Sequence, residues 1–523
     1  MKFSALKVGR IILALLFFLP ILFFFCDFAD IFPDRVSNLL RVQVVPAILA
    51  GSVVILIILA LLTLLFGRIY CSVICPMGVF QDIISWFTKR GERKNKKKRW
   101  YHYHKAQNIL RYSILAICVI FLVLGITAPI LLLDPYSNFG RIATNLFRPV
   151  VMEGNNLINW IAIKAGNFSF YHVSIFTVTA WSLIIALIAF FTVGIMSLLR
   201  GRLFCNTICP VGSLLGLLSR YSMFKVVLNS NCTHCGLCAR ACKAECIDAK
   251  TATVDHSRCV TCYNCLDRCK FNAIGYQYAW KKEKAAIKQN EITKETKMAM
   301  EASGQINRRT FITTSTAIAA TLPVIPLWAK PSKIDATKLT PITPPGSRNL
   351  NHFKKKCTAC HLCITHCPQQ ILKPAGFNFG INYAFKPHMV FYEMAFCNFE
   401  CNVCSQVCPN GAIEKISVDE KKTTQVGIAK FDIERCVVYT DGTDCGACSE
   451  HCPTQAVKME PYKEGLRLPV VTDILCVGCG GCESICPVRP IKAINVLANE
   501  VHQASQKPEE EEIEHFEIDD FGF

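Results

Sequence analysis

Four long apolar runs fill the first two hundred residues, and polar, cysteine-rich sequence fills most of the rest. Ile11 to Phe25 follows Lys2, Lys7 and Arg10. Val44 to Phe66, Ser113 to Leu133 and Val173 to Leu199 carry no charge. Runs of this length predict membrane-spanning helices. The first is followed by Asp27 and Asp30 rather than a small-x-small cleavage site, so it reads as an uncleaved span rather than a secretory signal. Asp134-Pro135 closes the third run, and a mildly charged loop is expected from there to His172.

A motif recurs just after the second and fourth runs. Gly67-Arg68-Ile69-Tyr70-Cys71-Ser72-Val73-Ile74-Cys75-Pro76-Met77-Gly78 returns as Gly201-Arg202-Leu203-Phe204-Cys205-Asn206-Thr207-Ile208-Cys209-Pro210-Val211-Gly212. The unit is two spans followed by G-R-x-x-C-x-x-x-C-P-x-G, used twice. Cys71, Cys75, Cys205 and Cys209 are candidate redox or metal ligands shared between the copies. The competing reading is a tight membrane-exit turn shaped by Pro and Gly. Between the copies, Lys89 to Lys105 holds nine Lys or Arg against one Glu. With Lys2, Lys7, Arg10, Arg200 and Arg202, this run places both ends of the four spans, and both motifs, on the cytoplasmic side. The net charge of +18 is thereby read as membrane topology, not nucleic-acid binding; holding anionic headgroups is the less common role for such a run. Tyr101, His102 and His104 are candidate proton acceptors, although a surface histidine is the commoner role.

Cysteine then changes the picture: the chain has 31. Cys232-Cys235-Cys238-Cys242 and Cys259-Cys262-Cys265-Cys269 have the spacing of a two-cluster ferredoxin, in which the fourth Cys of each run ligates the other [4Fe–4S] cluster. The expected sets are Cys232, Cys235, Cys238 with Cys269, and Cys259, Cys262, Cys265 with Cys242. Lys243 and Lys270 stand where Pro usually follows. Four more groups come later: Cys357-Cys360-Cys363-Cys367, Cys397-Cys401-Cys404-Cys408, Cys436-Cys445-Cys448-Cys452 and Cys476-Cys479-Cys482-Cys486. Eight and sixteen thiolates suit about six [4Fe–4S] clusters. The short steps are ligand spacing and argue against disulfides or zinc. Cys26, Cys118 and Cys246 are left over and read as structural.

Between the two cysteine-rich parts stands Asn307-Arg308-Arg309-Thr310-Phe311, then a diluted apolar segment to Ala329. Twin arginine before a weakly apolar stretch is the pattern of a Tat signal, here expected to stay uncleaved as an anchor. The expected organisation is a four-span core (1–225), a two-cluster ferredoxin module (226–278), a charged linker ending in Arg308 and Arg309 (279–310), and a fifth transmembrane or Tat-like segment (311–329). A Pro-rich linker (330–349), a four-cluster domain (350–500) and an acidic tail (501–523) follow. The fold class is multi-domain: an all-α transmembrane helical bundle plus α+β ferredoxin-like [4Fe–4S] domains.

With these motifs, residues 1–275 resemble the NapH-type membrane quinol-dehydrogenase ferredoxins, whose four-span core is similar to that of the NosR and CcoG families. Residues 305–500 resemble the Tat-exported four-cluster ferredoxins of the NapG/MauM type. The whole is similar to both fused. The resemblance implies an electron-transfer component in a bacterial inner membrane, N-terminus cytoplasmic and C-terminal domain periplasmic. It implies menaquinol oxidation, quinone or quinol binding, and delivery of electrons to a periplasmic reductase or cytochrome partner. The CcoG likeness implies an alternative, a copper reductase or respiratory-complex assembly factor. The family pairing implied for the C-terminal domain joins Cys357/Cys360/Cys363 to Cys486, Cys476/Cys479/Cys482 to Cys367, Cys397/Cys401/Cys404 to Cys452, and Cys436/Cys445/Cys448 to Cys408. No substrate-converting motif is evident.

Overall fold

The computed structural model describes residues 5–33, 36–94, 101–175, 179–279, 340–392 and 394–506. Arg308, Arg309, the segment 311–329 and the acidic residues after 506 lie outside the described residues.

Two of the four expected spans are single long helices: α1 (Ala5–Cys26) and, later in the chain, Ala180–Arg200. Both are long and apolar enough to cross a membrane. The other two are interrupted. Val44 to Phe66 divides into α2 (Val44–Ala50) and α3 (Val53–Phe66), because Gly51 ends the first in the left-handed conformation with φ of 70°. Ser113 to Leu133 divides into α4 (Asn108–Val123) and α5 (Ala128–Leu133), parted at Gly125, φ 77°. Of the four apolar runs, two are thus continuous helices and two are broken ones. The loop expected after Asp134 is also largely helical. Asp134 accepts from the Ser137 amide at 2.8 Å and starts α6 (Pro135–Ile142), and a π-turn leads on into α7 (Arg148–Lys164).

The N-terminal cysteine module is bracketed by an antiparallel pair, β1 (Phe224–Leu228) and β2 (Ile274–Tyr278), with Leu228 opposite Ile274. The C-terminal domain is closed by β3 (Thr424–Phe431) and β4 (Ile494–Ala504), with Ile494 opposite Phe431. Residues 341–347, expected as linker, are buried against this domain, where Thr343 meets His502 at 2.8 Å.

The two modules lie against opposite ends of α1. Near its start, Lys7 Nζ pairs with Asp267 of the first module at 2.7 Å. Near its end, the Phe24 ring meets His366 of the C-terminal domain with centroids 4.4 Å apart. At 22 residues the helix is about 33 Å long, roughly the thickness of a bilayer's hydrocarbon. Other contacts follow the same division. Arg111 donates to the Ser257 carbonyl at 3.0 Å on the first side. Arg148 donates to the Thr365 carbonyl at 2.8 Å on the second.

Candidate metal centres

Between the modules the two copies of the repeated motif face each other, and their arginines cross over. Arg68 Nη2 donates to the Cys205 carbonyl at 3.0 Å and lies 3.7 Å from Cys71 Sγ. Arg202 Nη1 donates to the Cys71 carbonyl at 2.6 Å and lies 4.0 Å from Cys205 Sγ. Gly78 and Gly212 permit this approach. A β-carbon at Gly78 would stand 2.1 Å from the Cys71 carbonyl oxygen, and one at Gly212 would stand 2.2 Å from that of Cys205. The Gly212 amide donates to Cys209 Sγ at 3.3 Å, and Gln81 Nε2 to Cys205 Sγ at 3.2 Å.

Burial pushes the Cys75 and Cys209 thiols well up. The thiols adding to the push on Cys209 are Cys205, Cys75 and Cys71, so all four share one environment. Two guanidinium groups and inward-pointing N–H donors around four thiols suit an anionic, thiolate-ligated group. Among the described residues no three Cys, His, Asp or Glu side chains close on one point as a single ion requires. Arg10 and Arg202, which flank the apolar runs, are not solvated. Arg202 is fully buried and Arg10 is 7% exposed, and both pair with Asp82 at 2.8 Å.

In the first module a cavity is lined by Cys242, Cys259, Cys262 and Cys265, the expected set, and also by Cys246. Cys246 Sγ lies 3.5 Å from Cys242 Sγ, so this thiol read as spare belongs to the site's wall. Burial raises Cys238, with Cys232 and Cys235 adding to it. Cys269 Sγ, the last cysteine of the module, accepts from the Ala273 amide at 3.2 Å. Tyr101 is buried, His102 is exposed, and His104 Nδ1 meets Glu245 at 2.8 Å.

The C-terminal domain groups its sixteen thiols differently from the family pairing. Burial pushes Cys363 well up, reinforced by Cys357, Cys360, Cys408 and Cys404. Cys367 shares a cavity with Cys397, Cys401 and Cys404. Cys486 shares one with Cys436, Cys445 and Cys448. Burial raises Cys482, reinforced by Cys479, Cys476, Cys452 and Cys448. The closing cysteines are thus Cys408, Cys367, Cys486 and Cys452 respectively: adjacent groups exchange their fourth members in two pairs. The four-thiol cavities fit cube-shaped clusters, and backbone N–H groups point at the sulfurs. Ala359 donates to Cys357 Sγ, Ile413 to Cys408 Sγ and Ala429 to Cys476 Sγ, each at 3.4 Å. Such N–H···S contacts tune cluster potentials.

The groups also fall in order. Tyr136, fully buried in the helical core, lies beside Cys360 and helps to lower that thiol against its burial. Cys363 neighbours Cys404 of the next group. The Cys397 amide donates to the Cys479 carbonyl at 2.9 Å, joining the second group to the Cys476 group. Cys482 in turn neighbours Cys448 of the Cys436 group, which ends the order.

A helical core flanked by ordered, cysteine-lined sites defines an iron–sulfur electron-transfer protein of the ferredoxin type. The comparisons agree. A family model described as a 4Fe-4S binding domain matches twice, at 49–95 and 181–229, once over each repeated motif. A 4Fe-4S dicluster domain matches 442–489. The chain is 30% identical over 195 residues to the ferredoxin-type protein NapG of Escherichia coli, covering 35% of this chain and 82% of that protein. It is 28% identical over 227 residues to an uncharacterized protein of Methanocaldococcus jannaschii, covering 43% of this chain and 79% of the other. To the methylamine utilization ferredoxin-type protein MauM of Methylobacillus flagellatus it is 30% identical over 154 residues, 28% of this chain and 63% of that one. No solved structure matches. The chain belongs to the NapG-like family of ferredoxin-type proteins.

Proposed function

We propose that the protein is a membrane-bound conductor of electrons, taking them from menaquinol at its helical core and releasing them through the C-terminal domain to a reductase or cytochrome partner. The observation that carries this reading is the seating of the two modules at opposite ends of α1. The spans expected from the sequence then put the first module on the cytoplasmic side and the C-terminal domain on the periplasmic side, with Arg308 and Arg309 directing export.

The cysteine sets hold [4Fe–4S] clusters, which when bound take and give single electrons. The protein's part is spacing and charge. Cys71, Cys75, Cys205 and Cys209 form a seventh set, between the six ferredoxin sets. Arg68 and Arg202 offset its negative charge, and Tyr136 stands on the way to Cys360.

The test is electron delivery in proteoliposomes. Reduced menaquinol in the bilayer should bleach the clusters of the C-terminal domain at a rate set by the quinol concentration. Cys71→Ser with Cys205→Ser should abolish this while leaving the ferredoxin sets filled. Full reduction by quinol in that variant would remove the core from the route. No reduction by quinol in the unaltered protein would remove menaquinol as donor.

A further inference from the structure

We infer that the cavity beneath Arg200 is a binding site for a phosphate-class oxyanion at the junction of the helical core and the first cysteine module. Its walls include Lys105, Arg200, Arg202 and Arg258. Four cations thus face one carboxylate among the described lining residues, Glu245, and that carboxylate is turned to His104 Nδ1 at 2.8 Å.

Two of the arginines are buried and incompletely paired. Arg202 is fully buried; its Nε bonds Asp82 and its Nη1 bonds the Cys71 carbonyl. Arg258 is 5% exposed; its Nε bonds Asp255 at 2.7 Å and its Nη1 bonds the His104 carbonyl at 2.8 Å. The Nη2 atom of each is buried without a hydrogen-bond partner among the described residues. A buried guanidinium N–H left unsatisfied is costly, and both of these arginines line the same cavity, so an acceptor bound there would serve them.

Water supplies acceptors but no charge. Asp82 cannot serve, because Arg10, Arg202 and Lys243 already surround its two oxygens. A tetrahedral oxyanion meets both requirements, since it accepts from several directions and offsets the excess positive charge. Arg200 ends an apolar helix and Lys105 ends the basic run, so the site sits where a lipid headgroup can reach it as readily as free phosphate.

The inference does not depend on electron transfer, so it is tested by binding. Full-length protein is stripped of lipid and mixed in detergent with inorganic phosphate, phosphatidylglycerol or phosphatidylcholine. Retained phosphate or lipid is read by native mass spectrometry and by the shift in thermal unfolding. The variant Lys105→Gln/Arg200→Gln spares the two buried arginines, and iron content reports whether it has folded. Retention of phosphatidylglycerol, weakened at least tenfold in the variant, identifies a lipid headgroup as the ligand. Stabilisation by inorganic phosphate, weakened to the same degree, identifies a soluble anion. Retention of neither, or equal retention by the folded variant, overturns the site.

Discussion

Lys243 Nζ reaches Asp82 Oδ1 at 3.1 Å. The contact joins a residue next to a cluster cysteine, at the position where such modules usually carry Pro, to the helix that follows the first repeated motif. Arg202 of the second motif and Arg10 of α1 meet the same carboxylate. One buried acid therefore ties together both repeats' surroundings, the first helix and the first module.

Replacing that acid should be costly. Burial alone would raise the Asp82 carboxyl, but Arg202, Lys243 and Arg10 outweigh it and hold it well below the usual carboxylate range. Asp82→Asn leaves three cations facing an uncharged group, and removing one partner of a buried ion network costs about 3–5 kcal/mol. A carboxyl with a lowered folded pKa stabilises the fold above its unfolded value and ceases to do so as the pH falls. The unaltered protein should therefore lose stability below about pH 4, and Asp82→Asn should be less stable at neutral pH with part of that acid loss removed. Thermal unfolding of the detergent-solubilised protein from pH 3 to pH 7 measures both. Equal stability of the two proteins at pH 7 would show that the network contributes nothing.

Gly78→Ala and Gly212→Ala should each empty the core site. The new methyl carbon would stand 2.1 or 2.2 Å from a backbone oxygen, and 2.7 or 2.8 Å from the crossing arginine. Backbone cannot yield as a flexible side chain does, so the motif carrying the glycine must distort and the arginine crossing from the other copy must be displaced. The expected result is loss of one cluster's iron, with the ferredoxin sets retained, read by iron analysis and by the electron paramagnetic resonance of the reduced protein. Unchanged iron in both variants would refute the crossed arrangement.

The sites were legible where chemistry is local and obscure where it depends on distant contacts. Three cysteines two or three residues apart declare a cluster because one loop must supply three corners. The fourth corner comes from another group, and nothing in the spacing says which. Hence Cys408 and Cys486 close different sets from those the family resemblance implied. Arg68 and Arg202 were visible as part of a repeat, but an arginine after an apolar run has the same sequence whether it faces water or a buried carbonyl. The breaks at Gly51 and Gly125 were hidden for a related reason: the apolar runs continue across them, and only backbone conformation shows that the helices stop.

Acid should also loosen the C-terminal domain by a separate route. Burial lowers His388 to about 4 while its Nδ1 lies 2.9 Å from the Lys373 carbonyl. Burial likewise lowers His502 to about 4. Both are neutral in the fold, whereas in the unfolded chain they take up protons below about pH 6.5. Stability should fall as the pH drops from about 6.5 toward 4, by on the order of 1 kcal/mol per pH unit for each histidine. His388→Gln and His502→Gln should each flatten that slope relative to the unaltered protein, measured by denaturant titration at matched pH. A slope unchanged in the double variant would assign the acid sensitivity elsewhere.

The exchange of fourth cysteines admits a test by non-additivity. Two ligands of one cluster, removed together, cost no more iron than either alone; ligands of separate clusters cost the sum. Because Cys408 neighbours Cys357 and Cys360, Cys357→Ser/Cys408→Ser should lose one cluster's iron, as each single variant does. Cys486 lines the cavity of Cys436, Cys445 and Cys448, so Cys357→Ser/Cys486→Ser should lose two. The pairing implied by family resemblance requires the reverse, with one cluster lost from Cys357→Ser/Cys486→Ser and two from Cys357→Ser/Cys408→Ser. The singles also separate functionally. Cys408→Ser removes the set beside Tyr136 and should block reduction of the whole domain from the core. Cys486→Ser removes only the last set in the order and should leave the three before it reducible.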